Sequence, residues 1–175
     1  MTFYQKLLIV TALATALGLL AQRSGPAGGN RQSKISTSTS LTIVASALIV
    51  VGIVSGTLIR HIIQIAPLLV ALALLLRRQP IGAAAAAPLF AFWLLTMGAI
   101  WLFLLGLARI FTGRFTPTEV VLTIVIGAAS ALGLASTYHG SSRLSVATRL
   151  VTTITFGLLQ YAAMWASVQP YVARR

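Results

Sequence analysis

The sequence predicts an all-α protein, a polytopic bundle of transmembrane helices, and three observations support this class. The chain is 58% hydrophobic and only 8% charged, whereas soluble domains average about 25% charged residues. Its apolar runs approach or reach the roughly 20 residues needed to cross a bilayer. These runs lack the polar-apolar alternation of the roughly 10-residue strands in a transmembrane barrel. We therefore expect a single membrane domain over residues 1–175.

Six membrane spans form the preferred topology, and five spans are the alternative. The six apolar runs cover residues 7–21, 41–59, 62–76, 88–107, 120–138 and 150–168. The third run is the difficult one, because it is short and follows the interruption Arg60-His61. An arginine at the bilayer centre costs about 2.5–3.5 kcal/mol on insertion scales, which favours a hairpin that turns around residues 56–61. A re-entrant third segment would reduce the count to five.

The first apolar run and the polar segment that follows it each allow more than one structural interpretation. The basic lead Met1–Lys6 and the triplet Ala14-Thr15-Ala16 resemble a cleavable signal peptide, but the apolar run continues past the triplet, so a retained anchor is preferred. Residues 22–40 form a long polar segment, in which Gly25–Gly29 has linker composition and Ser36–Ser40 alternates Ser with Thr. We expect a flexible polar loop over residues 22–40.

The formal charge of +12 comes from 13 Lys and Arg residues against one acidic residue. They occur singly or in pairs at the ends of apolar runs, as in Arg77-Arg78, and form no basic stripe for nucleic acid. We expect them to contact anionic lipid headgroups instead, at about 1 kcal/mol each. They divide almost equally between the two sides of the six-span topology, so the positive-inside rule gives no orientation. A bacterial inner membrane is the preferred location, with an organelle membrane as the alternative.

Glu119 is the only acidic residue of the chain, so any chemistry that requires a carboxylate depends on it. The stretch Thr116-Pro117-Thr118-Glu119 has the spacing of a capping box, with proline at the first helical position. A carboxylate in the first turn also interacts favourably with the helix dipole. We therefore predict that Thr116 and Glu119 cap a helix. A catalytic or transport role for Glu119 is the alternative.

The residue inventory argues against catalytic, metal and cofactor sites. The chain has no Cys and no Asp, so it has neither a thiolate metal site nor a Ser-His-Asp triad. His61 and His139 lie at run ends on opposite sides of the predicted membrane, where one haem would not reach both. We predict a protein that is not an enzyme and that binds no metal or cofactor.

Small residues at four-residue spacing mark expected helix-packing positions, because they let two backbones approach closely. Such sets include Gly52 with Gly56, Gly127 with Ala131 and Ala135, and Ala129 with Gly133. Aromatic side chains give a second positional signal. Phe90, Phe92 and Trp93 are expected at a membrane interface, where aromatic residues are enriched.

The sequence predicts the function of the protein less directly than it predicts the membrane-protein class. No charged residue lies near the middle of an apolar run, and proton-coupled carriers generally need one. We therefore expect a non-catalytic accessory or assembly subunit of a larger membrane complex, with a membrane-protein partner or a second copy of the chain. The alternative is a small uniporter or permease-like carrier, with Gln64 and Gln160 on the solute path. Inverted three-helix repeats would fit such a carrier, since Leu41–Val44 recurs as Leu122–Val125.

Overall fold

A computed structural model of the protein describes residues 2–23, 31–108, 115–137 and 144–173. These residues form helices and no strand, which confirms the all-α class. The helices are α1 (Phe3–Arg23), α2 (Arg31–Val54), α3 (Leu58–Leu76), α4 (Gly82–Leu104), α5 (Pro117–Thr137), α6 (Val146–Ser167) and α7 (Pro170–Ala173).

Helix α4 lies at the centre of the bundle. It contacts α1, α2, α3, α5 and α6, and these five helices contact one another in the ring order α1, α5, α2, α3, α6 and back to α1. The first half of α4 is rich in alanine, and Ala84, Ala85, Ala86 and Ala87 are all 0% exposed. Small side chains on every face of a helix let several neighbours approach its backbone, which explains the central position of α4.

Five of the described helices, α1 to α5, are long and apolar enough to cross a membrane. The outer surface of the ring bears large apolar side chains, such as Leu8 at 57%, Leu132 at 66% and Leu158 at 60% exposure. Exposed leucines at this density are favourable in lipid and unfavourable in water. The protein is therefore a helical integral membrane protein. Helix α6 has 22 residues and packs in the ring, but its Arg149, Gln160 and threonines set it apart from the five apolar helices.

Helix α2 begins well before the expected residue 41. It starts at Arg31, so the expected flexible loop over residues 22–40 is wrong for residues 31–40. Thr37 and Ser40 are buried, and the Thr37 hydroxyl lies 2.7 Å from the Ser136 hydroxyl of α5. Thr37, within the stretch that indicated a linker, thus makes a polar contact between helices.

The connection between α2 and α3 is a tight turn. Gly56 has φ +67°, in the left-handed region that glycine adopts readily, and an added Cβ would have no neighbour within 4 Å. The expected packing role of Gly56 is therefore wrong, because it forms the turn. Gly52 does serve packing, since an added Cβ would lie 3.0 Å from Leu58 Cα. Helix α3 begins at Leu58, includes Arg60 and His61 in its first turn, and reaches 19 residues, long enough to span.

The expected small-residue face of α5 is only partly buried. Gly127 faces α4, where an added Cβ would lie 3.6 Å from Met97 Cβ, but Ala131 and Ala135 are exposed on the outside of the bundle. The second expected set on α5, Ala129 with Gly133, is buried. The Phe90 ring packs directly against Gly133, and any side chain there would overlap the ring.

Three side-chain contacts show that α6 is antiparallel to α3 and α1, and that α2 is antiparallel to α5. Gln64 Nε2 donates to Ser167 Oγ over 3.0 Å, which joins the start of α3 to the end of α6. At the other end, Gln22 Nε2 donates to Thr153 Oγ1 over 3.0 Å, and Thr37 contacts Ser136. We call the end where α3 and α5 begin the Gly56 end, and the opposite end the Gly82 end. Helix α1 begins and α6 ends at the Gly56 end.

Candidate ligand cavity

A partly open cavity of about 240 Å³ lies in the half of the bundle nearest the Gly56 end. It is bounded by α2, α3, α4, α5 and α6, and it corresponds to the volume of roughly eight water molecules. Its polar wall comprises His61, Gln64, Trp93, Thr96, Glu119 and Thr123. Its apolar wall includes Leu48, Val51, Met97, Ile100, Ile126 and Met164.

Glu119 both caps α5 and lines the cavity. Its Oε2 accepts hydrogen bonds from the Thr116 backbone N–H over 2.7 Å and from Thr116 Oγ1 over 2.9 Å. The Glu119 N–H donates in return to Thr116 Oγ1 over 3.3 Å. This reciprocal pair is the geometry of a capping box. The bonds use one carboxylate oxygen only, and Oε1 has no hydrogen-bond partner among the described residues.

The imidazole of His61 has a defined proton position. Its Nδ1 lies 3.1 Å from the Thr57 carbonyl oxygen and 3.2 Å from Thr57 Oγ1. Because a carbonyl oxygen only accepts, Nδ1 bears the proton, and Nε2 of the neutral ring is an acceptor. Gly52 provides the room for this ring, since an added Cβ would lie 3.0 Å from His61 Cβ. His61 and Glu119 also interact electrostatically.

The remaining polar groups of the wall are two threonines and an indole. Thr96 Oγ1 donates to the Phe92 carbonyl over 2.8 Å, and Thr123 Oγ1 donates to the Val120 carbonyl over 2.7 Å. Both hydroxyl protons are thus used within their own helices, and both oxygens stay available as acceptors. Trp93 is 3% exposed, and its Nε1–H has no partner in the described part of the chain. A buried donor without a partner is costly.

The two glutamines predicted for a solute path lie next to each other, but only one reaches the cavity. Gln64 lines the wall and donates to Ser167. Gln160 is 0% exposed, and its Nε2 donates to the Gln64 backbone oxygen over 3.3 Å. Its Oε1 has no partner among the residues described. Gln160 is thus a buried inter-helix contact behind the wall.

No pattern in the sequence indicated that His61 and Glu119 share a cavity, because they belong to different helices. The sequence-based prediction for Trp93 was also wrong. Phe90, Phe92 and Trp93 are buried between helices, so the expected interfacial position is wrong. The spacing of Trp93 and Met97 on one face of α4 was the available signal, since both line the cavity.

Within the described ranges, no three His, Cys, Asp or Glu residues lie close enough together to hold a metal ion. His139 falls outside these ranges, so its expected separation from His61 is a prediction that the structure does not describe. The polar groups of the cavity suit hydrogen bonding and charge recognition of a bound molecule.

Comparisons of the chain with protein-family models, with curated proteins and with solved structures find no match. The fold and the cavity define the class by themselves. The protein is an α-helical membrane bundle with a small, partly open cavity whose wall is mainly apolar.

Proposed function

We propose that the protein is a non-catalytic, permease-like carrier that binds a small solute in this cavity. One observation carries the proposal: the only carboxylate of the chain lines the same cavity as His61 and Gln64. Of the two functions that the sequence allows, this arrangement favours the carrier over the accessory subunit. A subunit that only holds partners together has no use for an internal cavity with unpaired hydrogen-bonding atoms.

The depth of the cavity supports this proposal. It extends from Glu119 and His61, in the first turns of their helices, to Trp93, near the middle of α4. Carriers of several folds bind their substrates near the bilayer midplane. A solute that enters from the Gly56 end would reach that depth beside Trp93 and Thr96.

The packing beyond the cavity supports an alternating-access mechanism. One turn further along α4, the Phe90 ring packs against Gly133 of α5, and Ala84–Ala87 are fully buried. Around Phe90 and Gly133, the described residues leave no gap between α4 and α5 for a solute. Passage would require α4 and α5 to separate at Phe90 and Gly133 while the Gly56 end closes.

The mechanism proposed is uniport, and it does not depend on repeats. Glu119 lies at a helix start, so no charged side chain stands at the membrane centre to couple an ion gradient.

The two three-helix halves also pack differently in the described part of the chain. Helix α4 contacts α5 and α6, whereas α1 contacts neither α2 nor α3. The expected inverted repeats therefore contribute nothing to the proposal.

We further propose six crossings in a bacterial inner membrane, with α6 as the sixth. Helix α6 is long enough at 22 residues and closes the ring between α1 and α3. Its Arg149 lies in the first turn and donates to the Gln22 backbone oxygen over 2.8 Å, so the charge stays near the Gly82 end. Both ends of the described chain then lie on one side of the membrane.

Solute flux tests the carrier. Liposomes with and without the protein are placed in iso-osmotic solutions of small neutral and cationic solutes, and swelling is followed by light scattering. The proposal predicts that at least one solute enters faster with protein, and that a Thr123→Cys variant loses this flux once its thiol is blocked. Equal rates with and without protein for every solute contradict the carrier.

The accessory subunit stays a second candidate, because Ala131 and Ala135 are exposed at four-residue spacing on α5. Such a face permits close contact with a helix of another membrane protein or of a second copy. Purification in mild detergent followed by native mass spectrometry tests it. A stoichiometric unrelated protein that is lost in an Ala131→Leu variant supports the subunit. A monomer free of other proteins contradicts it.

A further inference from the structure

We propose that the solute is a small monovalent organic amine, bound in its protonated form by the carboxylate of Glu119. This inference rests on the proposed carrier function and names the substrate class of the same cavity. The formal charge of the chain is +12, and Glu119 is its only anionic side chain. Since Glu119 lies on the cavity wall, the wall is where the side chains of this protein attract an organic cation.

The Oε1 atom of Glu119 is the first element of recognition. The cap of α5 uses Oε2, and Oε1 has no partner among the described residues. An ammonium group at Oε1 would form a charge-assisted hydrogen bond without breaking the cap. A single carboxylate matches a single positive charge, which is why the ligand is monovalent.

The other polar atoms also favour a ligand that donates hydrogen bonds. Thr96 and Thr123 have used their hydroxyl protons, so their oxygens accept, and His61 Nε2 accepts as well. An ammonium group has three donors and no acceptor. An anion would instead be repelled by the Glu119 carboxylate on the same wall.

Trp93 lines the cavity and supports the cation. Aromatic faces attract organic cations, most strongly in the case of Trp.

The apolar wall and the volume define the rest of the ligand. Leu48, Met97, Ile126 and Met164 line the cavity, and its volume of about 240 Å³ lies below the roughly 300–1,000 Å³ of typical ligand pockets. A compact hydrocarbon body with one amine fits this space. An inorganic cation such as Ca²⁺ takes about 6–8 oxygen ligands, more than the side chains of Glu119, Gln64, Thr96 and Thr123 supply on this wall.

Arg60 is the opposing charge near the site. It precedes His61 in the first turn of α3 and acts on it electrostatically, but it does not line the cavity. Its charge weakens the attraction of an amine to Glu119. Neutralising Arg60 should therefore tighten amine binding, and neutralising Glu119 should weaken it.

Binding of three probes of nearly equal size tests the proposal. Benzylamine, benzyl alcohol and benzoate are titrated at pH 7 into the full-length protein in mild detergent, and binding is followed by calorimetry. We expect benzylamine to bind about ten-fold or more tightly than the other two. In Glu119→Gln, which retains a capping side chain, this preference should vanish, and in Arg60→Gln it should grow. Equal binding of amine and alcohol, a preference for benzoate, or no benzylamine binding overturns the proposal.

Thiol labelling separates failure of this inference from failure of the proposed function. The Thr123→Cys variant is treated with methanethiosulfonates that bear either a fixed trimethylammonium or a sulfonate group, and rates are normalised to those of a free thiol. We expect faster reaction with the cationic reagent, and loss of that advantage when Glu119→Gln is added. Equal rates overturn the amine and leave the cavity intact. No reaction with either reagent contradicts the open cavity on which the carrier depends.

Discussion

The imidazole of His61 and the carboxylate of Glu119 line the same cavity, although each lies in the first turn of a different helix. Their helices, α3 and α5, do not contact each other in the described part of the bundle. Helices α2 and α4 contact both and hold them apart. The cavity therefore exists because two helix starts face each other across a gap that neither backbone closes.

The cap of α5 should contribute measurably to stability. Replacing Thr116 by Ala removes the acceptor of the Glu119 N–H and the hydroxyl that donates to the carboxylate. We expect the free energy of unfolding to fall by about 0.5–2 kcal/mol, as for other N-cap losses. Unfolding in mild detergent measures it. Thr118→Ala, an exposed change in the same turn, is the control, and an equal loss in both variants would contradict the cap.

The contact between Phe90 and Gly133 should tolerate no added side chain. A Cβ at position 133 would overlap the Phe90 ring, so we expect Gly133→Ala to destabilise the protein by about 1–3 kcal/mol. Gly98→Ala is the matched control, because an added Cβ there meets nothing within 4 Å and alanine favours the helix. Adding Phe90→Leu to Gly133→Ala should recover stability. A loss at Gly98 as large as that at Gly133 would refute this packing.

Gln160 should be replaceable without loss of stability or binding. It is fully buried, makes one hydrogen bond of 3.3 Å, and leaves Oε1 without a partner in the described bundle. Removing an unsatisfied buried group is often neutral or stabilising, so Gln160→Met should unfold no earlier than the wild type. Benzylamine binding should also be unchanged, whereas Gln64→Met, on the cavity wall, should weaken it. Weaker binding in Gln160→Met would place Gln160 on the solute path after all.

The number of membrane crossings determines on which side of the membrane residues 2, 79 and 169 lie. The chain has no Cys, so single-cysteine variants report cleanly on accessibility. With six crossings, Thr2→Cys and Gln169→Cys react with a membrane-impermeant thiol reagent from one side, and Gln79→Cys reacts from the other. Intact and permeabilised cells measure this. Reaction of Thr2→Cys and Gln169→Cys from opposite sides would favour five crossings.

Local features of this fold could be predicted from the sequence, and long-range ones could not. Composition indicates the membrane class, and the spacing from Thr116 to Glu119 indicates the cap, because both depend on neighbouring residues only. The Ala83–Ala87 run was ambiguous, since alanine suits an exposed helix and a crowded core alike, and it forms the centre of the bundle. The polar residues before residue 41 were ambiguous in the same way. The composition around Thr37 predicted a loop, but Thr37 lies in α2 and contacts Ser136 of α5, which is distant in sequence.

The proposed carrier requires that the cavity be accessible from one side of the membrane. Thr96 lines the cavity, whereas Ser130 is buried in the bundle away from it, so cysteines at the two positions differ mainly in access to the cavity. The measurement is the rate at which N-ethylmaleimide modifies Thr96→Cys and Ser130→Cys in the membrane. We predict rapid modification at position 96, blocked by a membrane-impermeant thiol reagent added on the side of the Gly56 end, and none at position 130. Equal rates at the two positions, or no modification of either, would contradict the cavity.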